Sequence, residues 1–157
     1  MSTQGQTIEA SNDWMALEPR IAELINAAVE GLSPKVHVMA ASDLASVQEG
    51  AQHTPAIHLI YGGYRVAEGQ INRWRLVHTW YVVAADRNVA AIRSGQAARR
   101  SAGSLLSLVT ARLANAAVQG ASSTLQLVSP PSARYQNGFQ YIPSAFEVET
   151  VFQKAQQ

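Results

Sequence analysis

Three histidines are the residues best suited to chemistry, because each lies inside a segment that is predicted to be a strand: His37, His58 and His78. If those strands were neighbours, the imidazole rings could converge on a metal ion. However, no two of them have the spacing of a ligand pair and no carboxylate lies beside them, while His78 shares its strand parity with Trp74 and Trp80. We therefore interpret them as hydrogen-bonded core or interface histidines, and a small metal-dependent enzyme remains the alternative.

The other chemistries are weaker still. No Gly-x-Ser-x-Gly nucleophile motif is present, and Gly62-Gly63 is not followed by the Lys-Ser or Lys-Thr of a phosphate loop. Glu147 and Glu149 are two positions apart and therefore lie on the same face of the last predicted strand, a pattern typical of a solvated face. The absence of cysteine excludes disulfides, thiolate metal sites and cysteine nucleophiles. We therefore expect no catalytic residue, no metal and no cofactor.

Composition predicts one domain with unusually little charge. The chain has 157 residues, of which 47% are hydrophobic and only 15% are charged, against about 25% in an average protein. The net charge of +1 argues against a dedicated nucleic-acid binder, and no segment approaches the roughly 18 consecutive apolar residues of a membrane span. Arg93, Arg99, Arg100 and Arg112 are therefore interpreted as salt-bridge or subunit-contact residues rather than DNA ligands.

Hydrophobic periodicity predicts an α+β fold with a mostly antiparallel or mixed sheet, two main helices packed on one face and a projecting β-hairpin. The predicted helices are 14–32 and 89–119, the latter with an interruption near Gly95, and a turn or short helix follows Ser42. The predicted strands are 35–40, 56–61, 71–85, 124–128 and 145–152. Residues 62–70 are expected to form the loop and tip of the hairpin. We expect residues 1–13 to be a flexible arm, 14–152 a single domain and 153–157 a frayed end.

The order and pattern of these elements resemble a known family. The segments that carry the resemblance are WMALEPRIAELINAAV, KVHVMAASDL, TPAIHLIYGGYRV, INRWRLVHTWYVVAADRN, AARRSAGSLLSLVTARLANA and GFQYIPSAFEVETVF. Together, over about residues 14–152, they are similar to the tail terminator, or tail completion, proteins of long-tailed bacteriophages of the Mu-like and lambda-like kind. No residue-specific motif is matched, so no functional residue is carried over.

The resemblance implies a structural virion protein without enzyme activity or cofactor. Its subunits would form a ring, expected to be a hexamer, that caps the tail tube, ends tube polymerisation and provides the attachment surface for the head-side connector. The implied partners are further copies of the chain, the tail tube protein, the connector and DNA passing through the ring, with no membrane. The location would be the head-proximal end of the tail, after assembly in the host bacterial cytoplasm. Another neck or minor tail component is the alternative within the virion.

A ring needs contacts between two different surfaces of the subunit, and aromatic and arginine side chains often dominate such contacts. The hairpin is rich in both. The candidate subunit-interface residues are Tyr64, Arg65, Arg73, Trp74, Arg75, Trp80 and Tyr81. For Trp74 and Trp80, a place in the core under a helix is the competing interpretation. The loop predicted at 129–141 is expected to serve one axial face of the ring. Its candidate contacts are Pro130, Pro131, Tyr135 and Phe139.

Overall fold

Two helices and six strands form the part of the chain that the computed structural model describes, which is residues 12–41, 53–87, 96–136 and 138–155. In chain order they are α1 (Leu17–Val29), β1 (His37–Ala41), β2 (Ala56–Gly69), β3 (Arg73–Arg87), α2 (Gln96–Leu113), β4 (Gln126–Val128), β5 (Arg134–Gln136) and β6 (Phe139–Gln153). The predicted arm up to residue 11, the predicted turn at 42–44 and the predicted helix start at 89–95 lie outside these ranges.

The strands form one mixed sheet in the order β1-β2-β3-β6-β4, and β5 pairs with the start of β6. β1 is parallel to β2, and all the other pairs are antiparallel. β3 pairs with β6 over its whole length, from Arg73 opposite Gln153 to Arg87 opposite Phe139. This long β2-β3-β6 centre agrees with the predicted α+β class.

Both helices cover the same face of the sheet, as the sequence predicts. In α1 the buried residues Leu17, Ile21, Ile25 and Val29 recur every fourth position, which lines one side of a helix. They share a core with residues of α2 and with sheet residues of one parity, among them Trp80 and Phe146. Neither described helix is long and apolar enough to cross a membrane.

The opposite face carries a second, smaller apolar cluster. Ile60, Val83 and Tyr141 are buried there, together with Ala56 and Ala85. Since β-strand side chains alternate between faces, a strand that is apolar at successive positions must be covered on both sides. The sheet is therefore apolar on both faces toward the Ala56 end of β2.

The predicted loop at 62–70 is wrong, because β2 continues to Gly69 and the connection to β3 is short. The register shifts between Tyr61 and Tyr64, as in a β-bulge. Glycine permits this shift: Gly63 has φ +95°, and a Cβ on Gly62 would lie 2.7 Å from Tyr81 Cε2. The tip is closed by the Gln70 amide, which donates to the Arg73 carbonyl at 2.7 Å.

Several other boundaries differ from the prediction, among them the end of α2, which is at Leu113 rather than 119. The last strand begins at Phe139 rather than 145, and Arg134–Gln136 pairs with it as β5. Gly138 has φ +82°, which suits the predicted Asn-Gly turn, although residue 137 lies outside the described ranges. The predicted 129–141 loop therefore shrinks to residues 129–133. α1 is also shorter than predicted. The Asp13 carboxylate accepts a hydrogen bond from the Met15 amide and so caps the turn before this helix.

Candidate subunit interface

The end of the sheet near the β2-β3 tip is a three-stranded extension, here called the arm, made of residues 61–69, 73–80 and 147–153. β1 pairs with β2 only as far as Ile60. Among the described residues, the outer edge of β2 beyond that point has no strand partner. Tyr64 and Val66 on this edge are 46% and 57% exposed. The arm therefore offers a free, partly apolar edge.

An aromatic cluster covers the helix side of the arm. The Trp14 ring lies 4.3 Å from Tyr64 and 5.9 Å from Phe152, and Trp74 lies 5.8 Å from Phe152, between ring centroids. Trp14 belongs to the segment before α1, so this segment packs across the arm. Tyr64 and Trp74 keep part of their surface accessible within this cluster. They form an apolar platform of the kind that aromatic interface anchors use.

Ion pairs cover the other side of the arm. Arg65 Nη2 lies 3.0 Å from Glu147 Oε2, and Arg75 Nη1 lies 2.8 Å from Glu149 Oε1. Arg75 Nε also lies 3.6 Å from Glu68 Oε2. Because these pairs are partly exposed, each stabilises the fold by only about 0.2–1 kcal/mol. Their larger effect is to neutralise charge, so that this face could meet another protein without unpaired carboxylates.

The three histidines do not converge. His58 is opposite Val83 in the β2-β3 register, and Val83 is an odd number of positions from His78, so His58 and His78 lie on opposite faces of the sheet. The described residues contain no group of three or more metal-ligating side chains of the His, Cys, Asp and Glu types. The geometry therefore does not support the metal-site alternative.

His78 is instead held by hydrogen bonds in the core. Tyr61 Oη lies 2.8 Å from its Nδ1, and Thr150 Oγ1 lies 2.8 Å from its Nε2. The side chain is 1% exposed, and burial lowers its pKa from the ordinary 6.5. Burial also lowers the pKa of His58, whose Nε2 has no hydrogen-bond partner within the described part of the chain. Both rings are therefore favoured in the neutral form.

The structure divides the candidate interface residues into three groups. Tyr64, Arg65, Arg73 and Arg75 are exposed on the arm, whereas Trp74 and Tyr81 are half-buried. Trp80 is 1% exposed and packs in the main core, so it is not available as a contact anchor. Its even position in β3 directs it toward the helices together with Val82, which is the competing interpretation given above.

The candidate axial contacts lie at the opposite end of the sheet. Phe139 is opposite Arg87, whose guanidinium carbon lies 4.7 Å from the Phe139 ring centroid. Tyr135 and Pro130 are exposed, and Pro131 is half-buried. Phe139 and Gln153 begin and end β6, so a rise of about 3.3 Å per residue separates the two ends by roughly 46 Å. The two candidate sets are therefore distinct surfaces.

The sequence pattern does not predict a third surface, a groove beside α2. A groove of about 580 Å³ runs between α2 and the β4-β6 edge. Gly103, Ser107 and Ala111 line its helical wall. The spacing of four residues between them is visible in the sequence, and it places three small side chains in one row along the helix. Which surface this row would face depends on the long-range pairing of β4 with β6, which the sequence pattern does not specify.

Comparisons with known proteins cover nearly the whole chain. A family model described as "Phage tail terminator protein" matches residues 10–157. No curated protein matches. A chain from the solved structure "Virion of native gene transfer agent (GTA) particle" is similar with a TM-score of 0.55 and 14% identity, covering 86% of this chain and 94% of that chain. At that identity the likeness shows a shared fold alone.

Proposed function

Because this chain belongs to the phage tail terminator protein family, we propose that it forms a ring, a hexamer, which caps the finished tail tube and stops its polymerisation. The family match carries this proposal, since it spans every element of the described fold. The protein is a structural component of the phage tail. The function requires no catalytic step and no cofactor, and it places the protein in the virion at the head-proximal end of the tail.

The arm supports the ring. Closed rings are built from contacts between two different surfaces of the subunit. The arm has an open β2 edge, the half-buried Trp74 and the exposed Tyr64, together with arginines whose charges are largely paired. Arg65, Arg73, Arg75 and Tyr81 complete the contact surface.

The two ends of the sheet support a ring with unlike faces. A cap must bind the tube and yet present no second tube-like surface. We assign residues 129–133, with Pro130 and Pro131, and the nearby Tyr135 and Phe139 to one axial face. The tail tube protein meets one axial face and the head-side connector the other, and DNA passes through the centre.

A tube-length assay tests this function. The tail tube protein is polymerised with and without the purified chain, and tube lengths are measured by electron microscopy. The proposal predicts that tubes stop growing once their ends carry the protein. Another neck or minor tail component would bind the assembled particle but leave tube growth unchanged, and that result would contradict the proposal.

A further inference from the structure

The groove between α2 and the β4-β6 edge is an accessible surface without charge. Its walls are Gly103, Ser107 and Ala111 on the helix and Leu127 and Ile142 on the strands, and none of its lining residues is ionisable. Leu127 is 54% exposed. A Cβ on Gly103 would meet only Ile142 Cδ1, at 3.9 Å, so there is space above the helix. The groove therefore fits a small apolar side chain without a charged neighbour.

The tip of the arm presents an exposed apolar side chain, Ile71, whose chemistry matches this groove. Ile71 is 87% exposed, which is the highest value among the exposed large hydrophobic residues of the described chain. Its neighbours Gln70 and Asn72 are uncharged. Full burial of an isoleucine side chain is worth about 1.5–3 kcal/mol. The tip therefore gains from a partner whose surface is apolar and uncharged.

We propose that the Ile71 tip of one copy docks into the groove of the next copy, against the Gly103-Ser107-Ala111 row. This inference rests on the proposed ring. A molecule cannot fill its own groove: Ser144 at the groove and Gln153 beside the tip are nine residues apart along β6, which is about 30 Å. The Ile71 tip and the groove are different surfaces of the subunit. The contact between them is therefore head-to-tail and repeats from copy to copy, as a closed ring requires.

The bulges of β2 favour a docked side chain over an added strand. The register shifts at Tyr61/Tyr64 and again at Val66/Glu68. Bulges and charged side chains on an edge strand oppose pairing with a further strand. Contact through the tip avoids that obstacle. Pro130 also lines the groove, so in this arrangement it lies where the docked tip borders the proposed axial face.

Engineered disulfides test the docking directly, because the chain has no cysteine of its own. The test pair is Ile71→Cys with Ser107→Cys in the full-length chain. Mild oxidation of the assembled protein should give a ladder of linked copies on a non-reducing gel. The control pair is Ile71→Cys with Leu32→Cys, which uses another exposed position, 40% accessible, in the segment after α1. It should give no ladder.

A ring of normal native mass without a ladder from the test pair would overturn the docking and leave the proposed ring intact. A protein that stays monomeric with and without tail tubes would contradict both. A second variant avoids any disulfide: Ile71→Asp places a charge in the uncharged groove and should weaken self-association at least tenfold, whereas Ile71→Leu should not. Loss of tube capping by Ile71→Asp with an unchanged ring would show that the tip binds the tube instead, and would also overturn the docking.

Discussion

The side chain of Asn12 pairs with both backbone polar groups of Gln153. Its Nδ2 donates to the Gln153 carbonyl at 2.9 Å, and the Gln153 amide donates to Asn12 Oδ1 at 2.9 Å. The Asn12 side chain therefore makes the two hydrogen bonds that the backbone of a neighbouring strand would make at the end of β6. It anchors the segment that carries Trp14 across the arm, and it occupies an edge that would otherwise be open.

Replacement of Asn12 should loosen the arm. Asn12→Ala removes both hydrogen bonds, and we expect the free energy of unfolding to fall by about 1–2 kcal/mol. Asn12→Asp is the isosteric comparison: it retains the acceptor for the Gln153 amide but places a carboxylate oxygen against the Gln153 carbonyl, so it should lose stability as well. Urea unfolding of both variants measures the difference. Equal stability of Asn12→Ala and the unmodified chain would mean that the pairing contributes nothing.

Sequence patterns predicted the fold class and the helical face, but not the extent of the arm. The fourfold spacing of Leu17, Ile21 and Ile25 determines the buried side of α1 without reference to any partner. In contrast, the pair Gly62-Gly63 predicts the end of a strand. Only the pairing of this segment with β3 shows that it is a bulge within a continuous strand. Asn12 and Gln153 are too far apart in sequence for any local pattern to connect them.

The two central tryptophans should behave differently. Trp80→Ala removes a fully buried ring from the main core, and we expect a loss of about 3–5 kcal/mol in stability. Trp74→Ala alters the half-buried cluster on the arm, so it should cost less stability but weaken self-association. Denaturant unfolding and sedimentation velocity of both variants separate the effects. A folded Trp74→Ala protein that assembles normally would remove Trp74 from the interface.

The hydrogen bond between Thr150 and His78 should contribute more to stability than a solvent-exposed hydrogen bond does. Thr150→Val leaves His78 Nε2 buried without a partner, which costs about 1–3 kcal/mol. Thr150→Ser keeps a hydroxyl at this position and should recover most of that loss. Thermal and urea unfolding compare the two variants. Similar destabilisation by both would point to lost methyl packing rather than to the hydrogen bond.

Stability should fall as the solution becomes mildly acidic. Burial lowers the pKa of His78 and His58 below 6.5 in the folded chain, so the unfolded chain binds more protons in that range. The stabilisation is therefore complete above about pH 6.5 and is lost as the pH falls toward the folded-state pKa values. Each histidine contributes a slope of at most about 1.4 kcal/mol per pH unit. His78→Gln should reduce the slope between pH 7.5 and 5, and an unchanged slope would contradict the assignment.

The loop at 129–133 and the adjoining Tyr135 of β5 should affect capping rather than folding. Pro131→Ala and Tyr135→Ala change residues that we assign to the axial face, and we expect rings of normal mass that fail to limit tube length. Lys35→Ala, an exposed position before β1, serves as the control and should cap normally. Native mass and tube length are measured on the same samples. Normal tube length in both axial variants would remove this loop from the axial face.

The number of copies at the tube end decides whether this chain caps the tube as a ring. Native mass spectrometry of the purified chain, followed by cryo-electron microscopy of tubes mixed with it, counts the copies on each end. The proposed function predicts one closed ring of six copies at a single end of each tube and no further growth there. Single copies scattered along the tube, or an open assembly at ends that continue to elongate, would contradict it.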